Sequence, residues 1–153
     1  MLKRLIPLLL LACLLLTSCG GAAKNLDVAA FGQKVMADLK FDDEMNPMPP
    51  ELLAQLYGIK EADVKQKAIY VSTGYTPEEV VVIEAVSADA ATRIEDAMKA
   101  RVESQKKAFE NYIPAEMPKL TSPPIRKSGN YVVMIISGDD AAAAALIDTF
   151  LKG

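Results

Sequence analysis

The spacing of apolar residues changes period several times along the chain, and each change marks an element. Val28, Phe31, Val35 and Leu39 recur at helical spacing, which predicts a helix over Asp27 to Leu39 with Asn25 or Asp27 as its N-cap. Pro47, Pro49 and Pro50 break the pattern, and Glu51 to Tyr57 then predicts a short second helix closed by Gly58. Val64 to Thr73 and Val80 to Val86 are rich in β-branched and aromatic residues, and Gly74, Thr76 and Pro77 between them predict a hairpin turn. Helical spacing returns from Asp89 to Tyr112 and stops near Pro114. Thr121 to Lys127 and Tyr131 to Ile136 predict a second hairpin around Ser128-Gly129-Asn130, followed by an Ala-rich helix over Asp139 to Leu151.

The order is two strands and a helix, twice over. It predicts an α+β fold, a two-layer sandwich in which a mostly antiparallel four-stranded sheet carries both long helices across one face. Residues 26–60 are expected to form an N-terminal helical arm beside an α+β domain of residues 61–153, the two making one globular unit. Val86-Ser87-Ala88-Asp89 and Ile136-Ser137-Gly138-Asp139 both lead from a strand into a helix. Either an internal duplication or the general preference for Ser and Asp at helix starts accounts for that recurrence.

The N-terminal segment has a different character. Lys3 and Arg4 precede an apolar stretch from Leu5 to Leu16 interrupted only by Pro7, the layout of a secretory signal peptide over residues 1–18. Such a stretch spans roughly 18 Å of helix, short of the roughly 30 Å hydrocarbon core of a bilayer. Leu16-Thr17-Ser18-Cys19 followed by Gly20-Gly21 resembles the bacterial lipobox, whose cysteine receives a diacylglyceryl group. Cys19 is the expected lipid attachment residue. Cys13 lies inside the apolar stretch, and Leu11 is too bulky for the small position that a lipobox ending there would need. Two acyl chains anchor a protein stably where one binds only marginally. Residues 19–25 then act as a tether, of which the six from Gly20 to Asn25 reach at most roughly 20 Å, so the domain is expected next to the headgroups on the extracytoplasmic face of the cell membrane.

Composition removes several functional classes. Seventeen basic and 20 acidic side chains give net −3, which argues against nucleic acid as a partner. The absence of His excludes histidine-based acid/base catalysis and His-ligated zinc, and two cysteines cannot build a multi-disulfide framework. No cofactor motif is present. Cleavage before Cys19 would remove Lys3 and Arg4 and leave the mature chain more acidic still.

One local conflict bears on function. At about 100° per residue, Ile94, Met98, Arg101, Gln105, Phe109 and Tyr112 fall on one stripe of the long helix, with Arg101 and Gln105 at its centre. Arg stays protonated, so a buried guanidinium requires a carboxylate, carbonyls or an external anion. Glu84 stands in the otherwise apolar run Val80 to Val86 as the expected partner. Three readings are open: Arg101 reaches the surface over Val102 while Glu84 faces solvent, the two form a buried ion pair, or Arg101, Gln105 and Tyr112 receive an acidic ligand or partner. Ser72, Thr73, Tyr75 and Thr76 cluster hydroxyls around Gly74, but no base stands beside them and turn chemistry is expected. Asp42-Asp43-Glu44 lacks the Gly and terminal Glu of an EF-hand loop and reads as a solvated acidic turn. Met45 and Met48 have no His or Cys beside them to complete a copper site and are expected in the core.

Ser72-Thr73-Gly74 through Glu84-Ala85, Arg101 through Tyr112, and Gly129 through Val132 resemble a family of small Gram-positive bacterial lipoproteins known only as a domain of unknown function. The resemblance implies an envelope location and supplies no reaction. The expected function is a lipid-anchored, non-enzymatic module that binds or organises an envelope protein or the wall. The alternative is a receptor or sensor for a small anionic ligand, associated with a transporter and using Arg101.

Overall fold

The computed structural model describes residues 25–153, and strands β1 (Asn46–Pro47), β2 (Val64–Val71), β3 (Glu79–Ala85), β4 (Ile125–Ser128) and β5 (Tyr131–Ile136) form one antiparallel sheet in the order β1-β2-β3-β5-β4. Helices α1 (Val28–Asp38), α2 (Leu52–Tyr57), α3 (Ala88–Tyr112) and α4 (Asp140–Lys152) surround it. Each long helix starts where the sequence places a cap. The side chains of Asp27, Ser87 and Asp139 accept from the backbone N–H groups of Ala30, Ala90 and Ala142 at 2.9, 3.1 and 2.9 Å. Each such cap contributes about 1 kcal/mol by satisfying a donor that the helix leaves open. Gly58 ends α2 in the left-handed conformation, with φ 67°, and Ile113 ends α3 immediately before Pro114.

The central strands β3 and β5 are buried along their whole length, and their side chains alternate between two cores. Val81, Ile83, Ala85, Val132, Met134 and Ile136 pack with α2 and α3. Val80, Val82, Val133, Ile135 and Tyr131 pack with α1 and α4. The α+β class, the antiparallel sheet and the strand-strand-helix order agree with the reading of the sequence. The placement of the two long helices does not: α3 and α4 lie on opposite faces, so each face carries its own helix layer on the shared sheet. Continuous apolar runs such as Val80 to Ile83 need cover on both sides, which is the physical reason.

Residues 26–60 wrap the β2 edge instead of packing beside the sheet as one arm. α1 covers one face, β1 supplies a fifth strand through pairing of Asn46 with Val71 and Pro47 with Tyr70, and α2 covers the other face. The N–H of Met48 continues this contact, donating to the Ile69 carbonyl at 2.9 Å. α1 comes so near β2 that a Cβ on Gly32 would lie 2.8 Å from the Cβ of Ala68. β4 begins at Ile125 rather than Thr121, because Pro123 and Pro124 have no N–H to donate, and Pro114–Leu120 form 3-10 turns against α3. None of the helices among the described residues is long and apolar enough to cross a membrane.

Candidate functional site

Strand parity decides which carboxylate meets Arg101. Glu79 is two residues from Val81 and shares its face, toward α3; Glu84 shares the opposite face with Val80 and Val82. Across the α3 interface, Arg101 donates to Glu79 through Nε at 3.0 Å and through Nη2, and Gln105 Nε2 donates to the same oxygen, Oε1, at 2.7 Å. Tyr57 from α2 donates its hydroxyl to Oε2 at 2.6 Å, and its ring lies under the guanidinium with the Arg101 Cζ 5.5 Å from the centroid. The Arg101 side chain is 15% exposed and that of Glu79 only 2%. Burial, reinforced by the adjoining Glu79 carboxylate, pushes the Tyr57 phenol far above its usual range, so it remains a donor. For Arg101 burial works against the charge, but hydrogen bonding and attraction to Glu79 outweigh it, and the net shift is upward.

The neighbouring carboxylate, Glu78, is fully buried and has a cation of its own. It accepts from the backbone N–H groups of Asp42 at 2.9 and 3.1 Å and of Asp43 at 3.2 Å, and from the Thr76 hydroxyl at 3.0 Å. Lys119 approaches it at 3.1 Å while also contacting Asp42 at 2.6 Å and Glu116 at 2.8 Å. Burial alone would lower the Lys119 ammonium, yet hydrogen bonds to Asp42, Glu116 and Glu78 reverse the sign and raise it well above its ordinary 10.5. Two adjacent glutamates at one end of the sheet therefore fasten four segments: α2 and α3 through Glu79, and the 42–43 loop and the 3-10 turns through Glu78.

The sequence-derived pair of Glu84 with Arg101 does not form. Glu84 faces away from α3, and its Oε1 accepts from Lys65 Nζ at 2.6 Å while Oε2 is buried without a hydrogen-bond partner. Arg101 and Gln105 are brought together as expected. Tyr112 is not: it is 65% exposed near the end of α3 and meets Phe109 edge-on, with centroids 6.0 Å apart. The hydroxyl turn is held by Ser72 Oγ donating to the Thr76 carbonyl within it and by Thr73 Oγ1 donating to Asp43 of the 42–43 loop, each at 2.6 Å. Met48 and Met45 pack into the cores on opposite faces of the sheet. No group of three or more metal-ligating side chains occurs among the described residues. Cys19 lies outside them.

Glu79, Tyr57, Glu78 and Lys119 were the residues that sequence reasoning missed. Glu79 carried a usable signal, since a charged residue in phase with the apolar residues of a two-sided strand faces a core. Tyr57 and Lys119 carried none, because they reach the site from a short helix and from 3-10 turns whose docking has no local periodicity.

The arrangement ties segments of this chain to one another. The two carboxylates, the guanidinium and the Lys119 ammonium are engaged with one another; the Ser72 hydroxyl is bonded to a backbone carbonyl, and that of Thr73 to the Asp43 carboxylate, a base that the sequence pattern did not place there. The family described as Domain of unknown function (DUF4358) matches residues 37–137, more than half of the chain and including both glutamates, Arg101, Gln105 and Lys119. The chain belongs to that family. No curated protein and no solved structure matches it.

Proposed function

We propose that this protein is a lipid-anchored domain on the extracytoplasmic face of a bacterial membrane, where it binds or organises another envelope component without catalysing a reaction. The observation that carries the reading is the lipobox-like Leu16-Thr17-Ser18-Cys19, with six residues between its cysteine and the folded domain, which begins at Leu26. Leu26 is fixed there, its N–H donating to the Tyr131 hydroxyl on the central strand β5 at 3.0 Å. A thioether-linked lipid on Cys19 would therefore hold the start of the domain within about 25 Å of the bilayer. The engagement of Arg101 by Glu79 speaks against the anionic-ligand receptor, because an incoming anion would have to displace a buried carboxylate that also receives Gln105 and Tyr57.

Mass spectrometry of the protein from its own envelope is expected to find cleavage before Cys19 and a diacylglyceryl group on its sulfur. Cys19→Ser is expected to leave the leader uncleaved and the sulfur-linked lipid absent. An unprocessed leader or a bare thiol in the native product would overturn the proposal.

A further inference from the structure

Between α1 and α4 runs an open groove of about 380 Å³, lined mainly by Leu26, Ala30, Phe31, Leu146 and Phe150. Phe31 and Phe150 line it as a parallel stack with centroids 4.0 Å apart, and Leu26, Leu146 and Phe150 are only partly buried. The polar groups around it are already satisfied within the protein. The Asp27 carboxylate accepts the Ala30 N–H at 2.9 Å, Lys34 pairs with Asp38 at 2.6 Å, and the Thr149 hydroxyl donates to the Ala145 carbonyl at 2.9 Å. Resting the apolar residues on a membrane surface would remove their area from water, while the exposed charges of Asp27, Lys34 and Asp38 at the rim stay among headgroups and water with those hydrogen bonds intact.

We infer that this groove is the surface that rests on the lipid bilayer, its partly buried apolar residues facing the boundary between headgroups and acyl chains. The inference builds on the anchoring proposed above, and the position of the groove argues for it. Leu26 and Asp27 line the groove, and they are the residues that follow the six-residue tether from Cys19. The Cys19 backbone cannot lie farther than about 25 Å from Leu26, so the end of the domain bearing the groove is the end drawn to the membrane. The cations near the groove offer no concentrated basic patch, since Lys34 is neutralised by Asp38 and the chain as a whole is acidic. Contact should accordingly be apolar in origin and insensitive to anionic lipid.

The chain contains no tryptophan, so one introduced indole reports its own surroundings. Thr149 is exposed on α4 beside the groove, and Asp96 is exposed on α3, which covers the opposite face of the sheet. Thr149→Trp and Asp96→Trp would each be introduced into the full chain, exported and purified with its lipid. Each would then be reconstituted into phosphatidylcholine vesicles with or without brominated acyl chains. The expected result is a blue-shifted emission for Thr149→Trp and quenching by the brominated chains at least about twofold stronger than for Asp96→Trp, as interfacial burial requires. The difference should persist when anionic lipid or salt is added. Equal, water-like emission from both variants on vesicles that carry the protein would overturn the inference. So would a blue shift of Thr149→Trp that grows with protein concentration without lipid, which would assign the groove to a second copy of the chain. If mass spectrometry shows Cys19 bare, the anchoring proposal fails separately, and the same two variants coupled through that thiol to a maleimide phospholipid still decide the groove.

Discussion

Arg101 and Glu79 face each other across the α3–sheet interface, the guanidinium donating through both Nε and Nη2 and the carboxylate almost wholly withdrawn from water. A pair in that position contributes little net stability over a well-packed apolar replacement, yet breaking it from one side is costly, because the survivor is left charged and unpaired. Arg101→Ala is expected to cost about 3 kcal/mol, near the lower end for buried pairs because Gln105 and Tyr57 still donate to Glu79. Glu79→Leu combined with Arg101→Met should be less destabilised than Glu79→Leu alone. Urea unfolding of the single and double variants measures the coupling, and a coupling near zero would remove the pair from the account.

Glu84 provides the contrast within the same strand. Among the described residues it pairs with Lys65, whose side chain is more than half exposed, and one of its oxygens has no hydrogen-bond partner there. Neutralising it removes a charge that the fold compensates poorly. Glu84→Gln is expected to change stability by no more than about 1 kcal/mol in either direction. Glu79→Gln replaces an oxygen that receives strong donors and should cost about 2 kcal/mol or more. The two isosteric changes, compared by denaturant midpoint under one condition, should differ clearly, and similar costs would mean that Glu84 has a partner of equal weight.

These two glutamates also show what the sequence could convey. Caps at Asp27, Ser87 and Asp139 and the left-handed Gly58 were legible because each acts within a few residues of its position. Arg101 and Gln105 were legible as polar residues in an apolar helical stripe. The partner was not, because choosing between Glu79 and Glu84 requires knowing which face of β3 meets α3, and the run Val80 to Ile83 is apolar on both faces. That same lack of alternation pointed to helices on both sides of the sheet, a consequence the four-stranded arrangement with both long helices on one face overlooked. Tyr112 departs from the stripe's expectation for a geometric reason: it continues the stripe, but it lies at the end of α3 and is largely exposed.

Gly32 is held by closeness rather than by backbone conformation. A Cβ there would meet the Ala68 Cβ at 2.8 Å and Tyr70 Cε2 at 3.2 Å, so α1 would have to lift from β2. Gly32→Ala is expected to destabilise by about 1–3 kcal/mol through overpacking, despite the higher helix propensity of Ala. Ala68→Gly removes the nearer obstacle, and the double variant should recover part of the loss. Thermal unfolding of the three proteins measures this, and a neutral Gly32→Ala would show that the α1–β2 approach yields easily.

Acid should loosen the attachment of β4 to α3. Glu95 on α3 approaches Lys127 of β4 at 2.9 Å and Lys99 one turn along its own helix at 3.0 Å. Hydrogen bonds from Lys127 and then Lys99 outweigh burial and hold the Glu95 carboxyl below its ordinary 4.5. A carboxylate whose folded value is depressed binds its proton less readily in the native state than in the unfolded one. Its contribution is therefore complete above about 4.5 and disappears as pH falls through the lower folded value. Because the group is partly exposed, that contribution is no more than about 1 kcal/mol. Glu95→Gln should accordingly be slightly less stable than the parent at pH 7, with the gap closing on acidification below 4.5. Added salt should narrow the gap at neutral pH, since the flanking lysines are reached by solvent. Urea unfolding of both proteins across that range tests the sign, and a gap that stays constant or widens toward acid would show that Glu95 acts through packing rather than charge.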